Sequence, residues 1–168
     1  PSKGLIGLDW DELWRFRALF GFLVWRDVMI KYKQTALGAA WAILVPFLQM
    51  IIFTFIFGSV AGLSSDGLPK PVFYLAGLIP WTYFATSVSM SSNSLVGNAQ
   101  MVSKIYFPRM MVPTSPCIAS LLDFTIAFVI LLGLMAYFHI VPAITIIFAP
   151  LLLLLAFSTA LGTGLLLS

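Results

Sequence analysis

The 168 residues are 61% hydrophobic and only 9% charged, with nine basic side chains against six acidic ones and a mean hydropathy of +1.04. A soluble domain carries about 25% charged residues, so this is the composition of a membrane protein. A single cysteine (Cys117) and a single histidine (His139) exclude an intramolecular disulfide and a cysteine-based metal site, and they leave too few titratable groups for hydrolytic or redox chemistry.

Residues 1–8 form a short tail, and Asp9 with Glu12 has the spacing of a helix N-cap and its N3 partner. From Phe22 the pattern sharpens. Phe22, Trp25, Val28, Met29 and Tyr32 recur at helical spacing, with Arg26, Asp27, Lys31 and Lys33 largely on the other side. An apolar face holding Trp and Tyr opposite basic residues suits a helix lying in the membrane interface. An exposed helix that merely precedes a span is the alternative. Asp27 and Lys31 stand four apart in the order that favours an ion pair.

Residues 36–60 contain no ionisable side chain and are long enough for a bilayer core of about 20 apolar residues, with Pro46 expected to kink or loosen the helix. After the turn-rich AGLSSDGLPKP a second span is expected over 72–91, with Pro80 beside Trp81 and Tyr83. Its far end is polar: Ser87, Ser89, Ser91, Ser92, Asn93 and Ser94. Serines at that density pack helices closely or face a polar cavity. Residues 97–108 are too polar to span. A third span over 110–138, introduced by Pro113 and Pro116, carries Asp123 near its middle. A carboxylate there costs a few kcal/mol unless it is paired or faces water, so Asp123 is either a polar tie to a neighbouring helix or part of a substrate path. A proton relay is disfavoured, because no second acid or suitably placed basic group accompanies it. HIVP is a tight hairpin into a fourth span over 143–168, with Pro150 inside and the packing-prone AFSTALGTG at its end.

Lys3, Arg15, Arg17, Arg26, Lys31 and Lys33 precede the first span, and Lys104 and Arg109 lie between the second and third; the other two connections hold only Lys70. The positive-inside bias therefore places the N-terminus and the 92–109 loop in the cytoplasm. A missing initiator Met and an apolar run still open at Ser168 point to a piece of a longer chain.

Three segments then resemble a known family. WRDVMIKYKQTALGAAWAILVPFLQMIIFTFIFG is similar to the approach and first span in permease subunits of ABC transporters that export polysaccharides, which carry an "RD…+Y+…S/T-LG-xx-W-xxxxP" run. FYLAGLIPWTYF (73–84) resembles their second-span start, and SLVGNAQMVSKIYFPRMMVP (94–113) their loop with "K-x-YFPR". The three occur in the family's order, with the strongest likeness to the O-antigen and teichoic-acid exporters.

The resemblance implies an all-α type II (ABC-2) exporter domain, with four of an expected six spans present. A cytoplasmic region with an interface helix (1–35) precedes a transmembrane domain (36–168). It implies a homodimer of permeases with a separate ABC ATPase subunit, ATP-driven export of a lipid-linked polysaccharide, and the bacterial inner membrane. ATP and Mg would sit in the partner subunit, since no Gly-rich phosphate-binding lysine motif occurs here.

Carried over by position, Asn98, Gln100, Met101, Val102, Ser103, Lys104, Ile105 and Tyr106 would form the coupling helix. Trp25, Arg26, Asp27, Lys31 and Lys33 would mark the interface helix. Phe47, Gln49, Phe53, Tyr74, Trp81, Tyr83 and Ser87 mix rings with polar groups, as a glycan path requires, although interfacial or lipid-facing roles account for the same rings. A drug or lipid exporter on the same fold, or a membrane scaffold without transport, is the competing expectation.

Overall fold

The computed structural model describes residues 16–33, 40–65, 67–98, 111–141 and 144–167, and every regular element among them is helical. The expected helix start at Asp9 lies outside this set, as do the coupling residues Gln100, Met101, Val102, Ser103, Lys104, Ile105 and Tyr106. Five main helices follow in order: α1 (Arg17–Lys33), α2 (Ala40–Phe53), α3 (Lys70–Gly97), α4 (Met111–Tyr137) and α5 (Ala149–Leu167).

Among the described residues, three segments are long and apolar enough to cross a membrane: Ala40–Val60, Met111–Tyr137 and Ala149–Leu167. Trp41, Ile43, Phe47, Leu48, Ile51 and Ile52 of α2 and Leu151, Leu152, Leu154 and Leu155 of α5 are exposed. In water such a surface would aggregate, whereas in lipid it is solvated. The chain is a multi-pass membrane protein.

The first span keeps Pro46 inside α2, and its departure from α geometry comes further on. Thr54–Val60 is π-helical, closed by Ala61 N–H on the Ile56 carbonyl at 2.8 Å. Gly58 matters there because Lys70 lies against it: a Cβ would meet the lysine's Cδ at 2.8 Å, and the Lys70 ammonium donates to the Gly58 carbonyl. The first residue of α3 thus covers an acceptor that the end of the span leaves free.

The polar tail expected to end the second span at residue 91 is instead helical as far as Gly97. Its side chains fold back onto the helix: Ser92 and Asn93 donate to the Ser89 carbonyl at 3.0 and 2.8 Å, Ser94 to Ser91 at 2.6 Å, and Asn98 to Ser94 at 2.7 Å. Polar side chains satisfied by the backbone of the preceding turn do not break a helix.

The fourth apolar segment opens with a 3₁₀ turn (Ile144–Phe148) and becomes α-helical at Ala149. Pro150 therefore sits in the first α-helical turn rather than in the interior, where a missing N–H costs nothing. The α4–α5 connection ends α4 with His139 in the left-handed region (φ 53°). His139 N–H bonds the Ala136 carbonyl at 3.2 Å and Ile140 N–H that of Met135 at 2.9 Å, the pair that closes a Schellman cap.

Helix α3 is central, packed against α2, α4 and α5. Its Val72, Leu75 and Ile79 meet Met50, Ala127 and Leu131 in the main core. Against α5 the contact is made by small residues. Ala160 and Ser91 are fully buried, and a Cβ on Gly164 would lie 2.2 Å from Ser91 Oγ. The sequence left Ser87 and Ser91 between packing and pathway lining, and both are wholly buried between helices.

Candidate functional site

Helix α1 lies against α4 through a stripe repeating every four residues, which is one face of a helix. Leu23 packs on Met111 and Val112, with Phe16, Leu19 and Phe20 around them. Asp27, 9% exposed, accepts from Ser115 Oγ at 2.5 Å and from Arg26 at 2.8 Å. Lys31 is ion-paired with Asp123, and Tyr32 donates its hydroxyl to the other oxygen of the same carboxylate. Desolvation raises the Tyr32 pKa, and the hydrogen bond to Asp123 and its negative charge push the same way; the phenol stays protonated and donates.

One expectation for α1 changes here. The Asp27–Lys31 pair suggested by spacing does not form, because each residue has a partner across the helix interface. The face packed on α4 holds Leu23, Asp27 and Val28, while Phe22 and Trp25 of the expected apolar stripe point outward, 61% and 59% exposed. Burial of Asp27 follows from its partners, since a carboxylate accepting from a hydroxyl and a guanidinium tolerates removal from solvent. Lys33 is exposed.

Asn98, the described residue of the proposed coupling segment, accepts from Arg26 Nη1 at 2.8 Å. Arg26 thus bridges α1, through Asp27, to the end of α3. The expected interface helix and the first residue of the expected coupling segment touch at this point.

A cavity of ≈ 320 Å³ opens beside the Asp123 cluster. It is lined by Lys31, Tyr32 and Asp123, by Trp41, Pro46 and Gln49 of α2, and by Thr82, Tyr83 and Thr86 of α3. The volume lies at the lower end of the range for small-molecule sites. Its rings, hydroxyls and amide are a set able to stack on an apolar face and bond to hydroxyls.

The seven substrate-path candidates do not form one surface. Gln49 and Tyr83 line this cavity. Phe53 and Tyr74 join through Phe57 in a separate ring cluster, with centroids 5.4 and 6.3 Å apart. Phe47 is 44% exposed on the outer surface, as is Trp81 at 65%, beside Phe84. Ser87 is buried near Cys117, whose thiol points at the Ser87 carbonyl. Sequence patterning missed Trp41, Thr82 and Thr86, which share the cavity. It also found no basic partner for Asp123, and Lys31 is that partner.

Over 128 residues (75% of the chain) the sequence is 32% identical to the O-antigen export system permease protein RfbA of Myxococcus xanthus, covering 48% of that protein. The chain belongs to the family of polysaccharide-exporting ABC permeases. An O-antigen export system permease protein RfbA of Klebsiella pneumoniae is 30% identical over 71% of the chain and 46% of its own length. The polysialic acid transport protein KpsM of Escherichia coli is 32% identical over 62% of the chain and 39% of its own length. The chain spans about half the length of the O-antigen permeases it matches. No family model matches the sequence, and no solved structure does.

Proposed function

We propose that the chain is the channel-forming permease part of an ATP-driven exporter that moves a lipid-linked, O-antigen-like polysaccharide across the bacterial inner membrane. The supporting observation is the 32% identity over 128 residues to an O-antigen permease, in a chain with three membrane-length apolar helices. On this reading α3, 28 residues and about 42 Å long at 1.5 Å per residue, is a further span despite its serine-rich end. The N-terminus is cytoplasmic, α1 is the interface helix, and residues 98–106 couple to a separate ATPase that binds ATP and Mg.

The architecture proposed is type II, with residues 1–35 cytoplasmic, 36–168 transmembrane, and two permeases paired. Gln49 and Tyr83, with Trp41 and Thr82, are the cavity residues suited to a sugar ring. Co-expression of the full-length permease with an ATPase encoded beside it, followed by purification and reconstitution, tests the proposal. ATP-dependent movement of a lipid-linked glycan into the vesicle lumen is expected. An ATPase that never co-purifies, or vesicles that move drugs or simple lipids but no glycan, would sink it.

A further inference from the structure

Helix α1 leads directly in sequence into α2, yet its polar side chains are fastened elsewhere. Leu23, Asp27 and Lys31 hold α4 at three levels, through an apolar contact, a hydroxyl–carboxylate bond and an ion pair. Tyr32 adds a second donor to the Asp123 carboxylate. Trp41, Val45, Pro46 and Gln49 of α2 line the ≈ 320 Å³ cavity together with Lys31, Tyr32 and Asp123 of this seam. In the first span 11% of the apolar window is buried, against 28% for α4.

Charge in an apolar helix carries an insertion cost, and replacing such an ion pair with apolar residues is often neutral for stability. The best-attested benefit of a pair like this is register: it fixes where one helix stands along another. Two donors on one carboxylate, reached by long side chains from consecutive residues of α1, fix both the height and the rotation of α1 on α4.

We propose that the Lys31–Tyr32–Asp123 cluster is the joint that makes α1 and α4 one moving body, so that displacement of α1 is delivered to the third span while the first span shifts across the cavity. Lys31, Tyr32 and Asp123 are positioning residues in this scheme. The proposal rests on the exporter function above, and it adds which span receives the motion and through which atoms. Coupling of this kind needs contacts that hold in both states on one side and change on the other. The seam supplies the first and the cavity the second.

The test uses the complete permease with its ATPase in proteoliposomes, with ATP hydrolysis and glycan export measured separately. Asp123→Asn and Lys31→Met are each expected to lower export per ATP about tenfold while hydrolysis stays within about twofold. The charge-exchanged Lys31→Asp/Asp123→Lys protein is expected to recover most of that loss. Singles that export normally, or an exchange no better than the singles, overturn the joint.

Should the single variants fail to assemble, cross-linking decides. In a Cys117→Ser background, linking Lys31→Cys to Asp123→Cys with a short bismaleimide should leave export intact, whereas the same link between Tyr32→Cys and Trp41→Cys should stop it. Export lost on the 31–123 link, or kept with the 32–41 link, overturns the proposal. If the wild-type complex transports no glycan, the exporter function falls by itself. The 31–123 cross-linking yield in membranes then still reports on the joint: a low yield refutes it.

Discussion

Two helix contacts in this protein solve the same problem in opposite ways. Helices α3 and α5 meet where side chains almost vanish: Gly164 and Ala160 against Ser91, with no space for one further carbon. Helices α1 and α4 meet through long polar groups, Asp27 to Ser115 and Lys31 with Tyr32 to Asp123. Lipid offers little hydrophobic drive for helix association, so close approach and hydrogen bonding carry it instead. The first contact is intolerant of volume and indifferent to charge. The second tolerates volume and depends on which atom carries which charge.

The largest effect expected from volume is at Gly164. Gly164→Leu would drive its Cβ to 2.2 Å from Ser91 Oγ, so the helices must separate. A loss of about 3 kcal/mol is expected, the upper range for overpacking, read as a lowered unfolding midpoint in detergent. Paired Gly164→Ala and Ser91→Gly should recover much of it; failure to do so would mean that the small-residue contact does not hold α5.

At the polar contact the largest effect expected is from Asp27→Ala. It leaves the Ser115 hydroxyl only its 3.3 Å bond to the Val112 carbonyl and removes a partner of Arg26, for a loss of about 2 kcal/mol, as when a charged hydrogen-bond partner is removed from a buried site. Ser115→Ala should cost about 1 kcal/mol, because Asp27 keeps Arg26. A thermal-melt difference between the two near zero would place the stabilising partner on Ser115 alone. Comparable is Gly58→Ala, whose Cβ meets the flexible side chain of Lys70 at 2.8 Å and the Tyr74 ring at 3.4 Å, with about 1 kcal/mol expected. Trp81→Ala, on an outer surface, should stay within about 0.5 kcal/mol. A large shift in its melt would assign Trp81 to a packed interface.

How much of each contact the sequence reveals follows from its physics. Apolar runs are local, so α4 (Met111–Tyr137) falls inside the segment expected as a span, 110–138, and AFSTALGTG already marks α5 as a packing helix. The serine-rich end of α3 misleads because composition shows Ser92, Asn93 and Ser94 as polar, while their hydrogen bonds return to the helix's own carbonyls. Lys31 and Asp123 are 92 residues apart, and no periodicity connects them; only the fold does. The cavity is equally nonlocal, so patterning found Gln49 and Tyr83 but spread the other candidates over the outer surface (Phe47, Trp81), a separate ring cluster (Phe53, Tyr74) and a buried helix contact (Ser87).

The left-handed His139 cap has a consequence for how the protein is made. With only residues 138–143 between the end of α4 and the 3₁₀ turn that opens the next apolar segment, α4 and α5 are expected to reach the bilayer as one hairpin. The strongly apolar α5 can then help to carry in a partner burdened with Asp123, a residue that taxes insertion by about 3 kcal/mol near a helix centre. Lys31 and Tyr32 leave the ribosome well before Asp123, so the carboxylate's partners are already synthesised when it arrives. Order of synthesis thus shortens the time for which the charge stands alone in lipid.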